Sequence, residues 1–363
     1  MLLYLFIAVV FINTAYFVLF SKFSFLKPKK LVTKEYFPVS IIVCAKNEAE
    51  NLKQNIPLWL EQDYPQFELI LIDDASSDDT REVIESFAKN NDKVHTVLIE
   101  NNETFWSNKK YSMTLGIKRA YNKRMVFSDA DCKPASNQWL KHMAAPFDEE
   151  KQLVLGYGAY EKRAGLLNAI IRFETLMTAV QYFSYAEAGM PFMGVGRNLA
   201  YTSQLFYDNR GFMSHMNIPS GDDDLFVNES ATAQNTAICY DEAAFTYSIP
   251  KHSFKAWFQQ KRRHITTAQY YKPKHRYLLG LYFVGNLLFW CFAVVSLIFI
   301  DWKIPLAIII FRFILQYIFI GNATKILKEK SLLPFLPVLE LFLVFLQLTI
   351  FISNKLAKPK RWK

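Results

Sequence analysis

Between residues 39 and 128, short apolar runs alternate with amphipathic stretches, and much longer apolar stretches stand outside that region. Val39 to Cys44, Phe67 to Ile72, Val94 to Ile99 and Arg124 to Ser128 are rich in β-branched and apolar residues. That is the pattern of strands buried on both faces. Ala49 to Leu60 puts Leu52, Ile56 and Leu60 on one helical face. A second helix is predicted at about 80–90, with Ser76-Ser77-Asp78-Asp79 suited to cap it, and a third over Lys109 to Tyr121. This alternation predicts an α/β fold, a mainly parallel sheet covered by helices. After Phe147 the pattern weakens. Leu153 to Tyr160 reads as a further strand, and Leu166 to Ala186 as a long aromatic-rich helix, either core-packed or lying on a membrane surface.

The long apolar stretches are Leu2 to Phe20, Leu278 to Ile300, Ile304 to Ile320 with only Arg312 charged, and Leu332 to Ile352 with only Glu340. Each is close to the roughly 20 residues that cross a bilayer as a helix. The first lacks a basic start and runs into lysines rather than a small-residue cleavage site, so an uncleaved anchor is expected rather than a signal peptide. Lys22, Lys27, Lys29 and Lys30 follow it, which places residues 22–277 in the cytoplasm. Lys325, Lys328 and Lys330 fit an inner loop after the third stretch. A full crossing by the fourth would put Lys355, Lys358, Lys360, Arg361 and Lys363 outside; Pro334 and Pro337 allow a bent, re-entrant path instead. Both paths stay open. The expected organisation is an anchor at 1–21, an α/β domain at 22–277, a membrane region at 278–353 and a basic tail at 354–363, making a multi-pass cell-membrane protein.

The formal charge is +9, but the basic residues flank apolar stretches, where anionic lipid headgroups attract them. With no basic helix or nucleic-acid motif, the expected partner of that charge is membrane lipid and not nucleic acid. Cys44, Cys132, Cys239 and Cys291 form no C-x-x-C pair, which argues against a zinc site or a disulfide framework.

The candidate chemistry is acidic. Asp73-Asp74 and Asp129-Ala130-Asp131 each end a predicted buried strand, the edge at which open α/β sheets bind ligands. A D-x-D there can hold Mg²⁺ or Mn²⁺ through oxygen, and the cation a diphosphate. Asp73-Asp74 can accept hydrogen bonds from a base or ribose, or simply form a turn and helix cap. Lys109-Lys110, at a helix start, can approach a nucleotide or stay solvated. In Gly221-Asp222-Asp223-Asp224-Leu225 one carboxylate could serve as general base, its pKa raised by its neighbours, or the group could cap a helix. Trp257 to His264 combines aromatic, amide and guanidinium groups before an apolar stretch, either to bind diphosphate or to orient the membrane helix.

Taken in order, these motifs resemble family 2 glycosyltransferases, the membrane-bound enzymes related to cellulose, chitin and hyaluronan synthases. Pro38 to Glu48 is similar to the family's opening strand and its Asn47-Glu48 turn. Ile72-Asp73-Asp74-Ala75-Ser76 looks like its D-D-x-S motif. Lys109-Lys110 with Leu115-Gly116-Ile117 resembles its G-K-x-x-A-L-N-x-G helix, with Asn108 replacing glycine. Asp129-Ala130-Asp131 matches its D-x-D, and Gly221 to Leu225 its E-D-x-D-L or G-D-D segment. Gln260 to His264 looks like its Q-x-x-R-W, with His264 for tryptophan.

The resemblance spans residues 38–264. It implies a GT-A fold, Mg²⁺ or Mn²⁺, a nucleotide-diphosphate sugar donor, most commonly a UDP-sugar, and a lipid or glycan acceptor. Asn47, Glu48, Asp73, Asp74, Lys109, Lys110, Asp129, Gln260 and Arg263 would meet the donor, and Asp129 and Asp131 the metal. Asp222 would be the catalytic base, with Asp223 the runner-up. The implied activity is inverting sugar transfer from the cytoplasmic face to a lipid, a lipid-linked glycan or a polysaccharide. His264 and the small membrane region favour single transfer over processive synthesis. A non-catalytic scaffold and a nucleotidyltransferase are the remaining alternatives.

Overall fold

The computed structural model describes residues 1–27, 36–100 and 109–357. Lys29, Lys30, Asn108 and the tail residues Lys358, Lys360, Arg361 and Lys363 lie outside them. The chain opens with helix α1 (Leu2–Ser24). Strands and helices then alternate as β1 (Val39–Ala45), α2 (Ala49–Leu60), β2 (Phe67–Asp73), α3 (Thr80–Asn90), β3 (Val94–Leu98), α4 (Lys109–Arg119) and β4 (Arg124–Asp129). Next come β5 (Cys132–Pro134), α5 (Trp139–Ala144), β6 (Leu153–Leu155), β7 (Gly158–Tyr160) and the long α6 (Leu166–Glu187). They are followed by β8 (Leu199–Thr202), α7 (Ser203–Asp208), α8 (Asp224–Ser230), β9 (Thr236–Ile238) and β10 (Thr246–Ser248). Four helices complete the chain: α9 (Phe254–Ile265), α10 (Pro273–Phe299), α11 (Lys303–Ile326) and α12 (Leu336–Leu356).

These elements form two units. The α/β unit comprises the described residues from 36 to 161 and from 189 to 250; the helical unit holds Met1–Lys27, Lys162–Ala188 and the chain from Lys251 onward. The sequence reading counts α6 and α9 with the α/β domain, whereas both group with the apolar helices. In α6, fourteen of 22 residues are buried, and Phe183 packs on Phe23 of α1 with ring centroids 4.9 Å apart.

In the α/β unit a seven-stranded sheet runs β3-β2-β1-β4-β8-β6-β9. The β3-β2-β1-β4 half is parallel throughout; β8 is antiparallel to both its neighbours, and β6 pairs with β9 in parallel. Val39, Ile41, Ile42 and Val43 in β1 and Leu69 to Ile72 in β2 are fully buried, which explains their unbroken apolar runs. Each such side chain contributes about 1.5–3 kcal/mol. The order reverses at β1: β2 lies on one side, β4 on the other. That switch point opens a crevice at the carboxyl ends of the strands, where Ala45 is in register with Asp73 and Cys44 with Asp129.

The run Leu153 to Tyr160, expected as one strand, is two. Its first part joins the large sheet as β6, and its second joins a small sheet, β5-β10-β7. The break falls at Gly156, where a Cβ would lie 2.6 Å from the Asn198 side chain and 2.8 Å from the Asn198 carbonyl. Among the described residues, the helical unit contains four helices long and apolar enough to cross a membrane: α1, α10, α11 and the span Lys330–Leu356 that includes α12.

Helix α4 lies close on the sheet. A Cβ on Gly116 would stand 2.3 Å from Ile72 Cδ1 and 3.4 Å from Ile42 Cγ2. Gly116→Val is therefore expected to destabilise the α/β unit by about 1–3 kcal/mol, measured as a lowered apparent Tm in detergent.

Candidate active site

Two turns at the sheet's carboxyl edge are locked together. Asn47 and Ala75 both hold positive φ, at 57° and 54°. Asn47 Oδ1 accepts from the Ser77 amide at 2.8 Å, the Asn47 amide donates to Ser76 Oγ at 2.9 Å, and the Glu48 amide donates to Thr80 Oγ1 at 2.8 Å. Asp78 accepts from the amides of Ala49 and Thr80 and so caps the neighbouring helices. Asp73 is buried and accepts from the Ser76 amide at 3.0 Å. Asp74 accepts from Ser112 Oγ of α4, with Lys46 Nζ 3.9 Å away. Asn47 and Asp73 thus each give a side-chain oxygen to the fold of the edge, and the Glu48 carboxylate takes Asn51 Nδ2.

Lys109 gathers the acidic groups. Its Nζ lies 2.8 Å from Asp129 Oδ1 at the end of β4 and 3.0 Å from Asp222 Oδ2, just before α8. Withdrawal from water works against a charged Lys109, but Asp129 and Asp222 override it and hold the ammonium well above its ordinary pKa. Burial likewise works against ionised Asp222; the Lys109 bridge prevails and holds that carboxyl below its usual range.

Asp223 behaves oppositely. Burial, then the charges of Asp222 and Asp224, push its carboxyl up to about 7. Its Oδ2 accepts from the Gly196 amide at 2.7 Å, and its Oδ1 from the Asp224 amide at 2.7 Å. Gly221, at φ 98°, makes the turn that brings these acids in, and its missing Cβ leaves room for Leu225. Lys109, Met113, Phe127, Ser128, Asp129, Gly196, Leu199, Tyr201, Asp222 and Asp223 line one narrow cleft.

Lys110 is not in that lining. It is 1% exposed, and its Nζ donates to the carbonyls of His215 at 2.6 Å and Ile218 at 2.9 Å. Burial pushes its pKa down to about 8. Of the paired lysines, Lys109 faces the acids and Lys110 holds the segment leading to Gly221.

Ligand atoms of Asp129, Asp131 and Cys132 lie within 4.8 Å of one another. The Cys132 thiol is buried and pushed well above its usual pKa, first by burial and then by Asp131 and Asp129, so it stays protonated. That leaves two carboxylates, the hard oxygen donors that Mg²⁺ and Mn²⁺ prefer; these residues fit such an ion.

The turn Gly196–Asn198 is the part that sequence reading passes over. Gly194 to Asn198 identifies no ligand on its face, yet the turn joins all the layers. The Arg197 carbonyl accepts from Ser128 Oγ of β4 and Thr246 Oγ1 of β10. Its guanidinium donates to the carbonyls of Gly158 and Ala159 in β7 and to Ser248 Oγ in β10. Asn198 is fully buried; it accepts from Trp139 Nε1 and donates to the carbonyls of Tyr157 and Ala244. The available signal was a polar Arg-Asn pair between apolar neighbours, which only pays if both side chains find buried partners.

Gln260 and Arg263 lie on α9 in the helical unit. The adjacent Lys261 pairs with Glu174 of α6.

A parallel half-sheet with acids along its carboxyl edge defines an α/β fold of the GT-A-like class. The chain superposes on the mannosyltransferase PcManGT from Pyrobaculum calidifontis, solved with GDP-Man and Mn²⁺. The TM-score is 0.59 at 18% identity, covering 94% of this chain and 99% of that one; the likeness concerns the fold. The model of glycosyl transferase family 2 matches residues 40–183. A Bacillus subtilis protein designated a teichuronic acid biosynthesis glycosyltransferase, TuaG, is 25% identical over 126 residues, which is 35% of this chain and 48% of that protein. The poly-beta-1,6-N-acetyl-D-glucosamine synthase of Staphylococcus aureus is 27% identical over 182 residues, 47% of this chain and 43% of that protein. These alignments span less than half of each relative's length. The motifs at Gly221 and Gln260 fall beyond the matched 40–183.

Removing the Asp222 charge should let the neighbouring acid ionise more easily. In Asp222→Asn the Asp223 carboxyl is expected to titrate below its value near 7, read from its ¹³C shift against pH; an unmoved midpoint would separate the two groups electrostatically.

Proposed function

We propose that the chain is a membrane-anchored inverting glycosyltransferase that moves a sugar from a nucleotide-diphosphate donor, a UDP-sugar first, to a lipid or lipid-linked glycan. The observation that carries this reading is the gathering of Asp129, Asp222 and Asp223 around Lys109 at the sheet's switch point. The family match and the names of the relatives support sugar transfer. The four long apolar helices support a membrane location, and Lys22 and Lys27 after the first of them favour the cytoplasmic face for the α/β unit.

In this reading Asp73 and Asp74 stand at the nucleoside end, and Asn47 and Glu48 shape the edge beside them. A divalent cation held by Asp129 and Asp131 would neutralise the diphosphate and ease its departure. Lys109 adds a positive charge between the donor-side and acceptor-side acids. The resemblance assigns Gln260 and Arg263 to the departing diphosphate.

Asp223 is proposed as the base ahead of Asp222. A base works best with a pKa near the working pH; Asp223 stands near 7, while Asp222 is committed to Lys109. Asp223 removes the proton from an acceptor hydroxyl. That oxygen attacks the anomeric carbon from the face opposite the diphosphate. As the new bond forms, the bond to the diphosphate oxygen breaks, and its electron pair leaves with the nucleoside diphosphate. One displacement inverts the anomeric centre.

The test is a donor screen in detergent with UDP- and GDP-sugars, each with Mg²⁺ or Mn²⁺, reading nucleoside diphosphate release. Asp131→Ala and Asp223→Asn are each expected to lower turnover about 10²–10⁴-fold. Wild-type kcat/KM should rise as pH increases through about 7, where Asp223 loses its proton. Unchanged turnover in both variants would refute the enzyme reading, and pyrophosphate release would point to nucleotidyl transfer.

A further inference from the structure

The stretch that leads into β8 carries no motif that names an acceptor, yet Tyr201 of that strand lines the acid cleft. Tyr201 pairs with Met125 of β4 on one side and Leu153 of β6 on the other. Other rings hold its ring. Phe127 stacks on it with centroids 4.2 Å apart, Phe226 of α8 lies at 4.5 Å and Phe206 of α7 at 6.4 Å. The residue is 1% exposed.

A phenylalanine would pack in that aromatic cluster as well, so the oxygen of Tyr201 needs its own explanation. A buried tyrosine hydroxyl usually finds a hydrogen-bond partner. This one finds none among the described residues, although Lys109, Asp222 and Asp223 line the same cleft. Burial, and then the charge of Asp222, hold the phenol well above its ordinary pKa. Tyr201 therefore keeps its proton and remains a donor.

The space beside it is small. The cleft measures about 10 Å³, close to the least that holds one water molecule. A sugar ring does not enter such a space, but a single hydroxyl does. Around that hydroxyl stand a phenol and an ammonium that donate and two carboxyls that accept. The Asp223 oxygens each take one backbone amide, which leaves each of them a further lone pair.

We propose that Tyr201 seats the acceptor's attacking hydroxyl. The inference rests on the reading above, in which Asp223 is the base of a glycosyltransferase. The Tyr201 O–H donates to one lone pair of the incoming oxygen, and that oxygen's own proton points to Asp223. The second lone pair is left to meet the anomeric carbon. As the new C–O bond forms, the acceptor's proton passes to Asp223 and the bond to the diphosphate breaks. Tyr201 keeps its proton throughout; it orients the nucleophile and is not consumed.

The test is Tyr201→Phe in the full chain, which removes one oxygen and keeps the ring between Phe127 and Phe226. Two quantities are measured in detergent with Mn²⁺: affinity for the UDP- and GDP-sugars of the donor screen, and nucleoside diphosphate release with a membrane lipid extract as acceptor. The expected result is a kcat lowered about 3–10-fold, the worth of one hydrogen bond, with donor affinity and donor KM unchanged. Unchanged donor affinity also reports an intact fold. An unaltered kcat overturns the inference. Weakened donor binding overturns it too, because the hydroxyl would then belong to the transferred sugar. If the wild-type chain binds no nucleotide sugar and releases no nucleoside diphosphate, the glycosyltransferase reading itself falls, and the role of Tyr201 with it.

Discussion

The ion bridge from Lys109 to Asp129 and Asp222 is the constraint on which the α/β unit turns. The two acids come from points 93 residues apart and meet in a partly exposed cleft. Carboxylates so placed repel one another and resist burial unless a cation stands between them. The bridge settles which acid is charged. Asp222, paired with Lys109, stays ionised; for Asp223, one residue on, burial and the neighbouring acids outweigh Lys109, and its pKa stands near 7. Two neighbouring carboxyls thereby acquire different chemistry from one ammonium.

The rest of the fold holds that bridge in place. Strand β4 delivers Asp129, while the start of α4 delivers Lys109 and, through Lys110, grips the carbonyls of the segment that ends at Gly221. The Gly196–Asn198 turn closes the arrangement, giving its first amide to Asp223 and its Arg and Asn side chains to the small sheet and the core beneath. Pulling any of these loose would move at least two of the acids.

Much of this was legible in sequence because buried parallel strands leave unbroken β-branched runs. The runs ending at Ala45, Asp73 and Asp129 announce both the strands and the carboxylates at their ends. What was hidden depended on contacts distant along the chain. Gly156 splits a single apolar run because Asn198, more than forty residues later, occupies the space of a side chain. Two adjacent lysines at a helix start look alike in sequence; only the fold sends one ammonium to acids and the other to backbone carbonyls.

The account's central claim is a single displacement driven by an acid on the acceptor side. The measurement that tests it most directly is the anomeric configuration of the first product, followed by ¹H NMR with an α-linked nucleotide sugar. The account predicts a β-linked product from the earliest time point. An α-linked product would contradict it and would require a second nucleophile on the opposite face of the sugar.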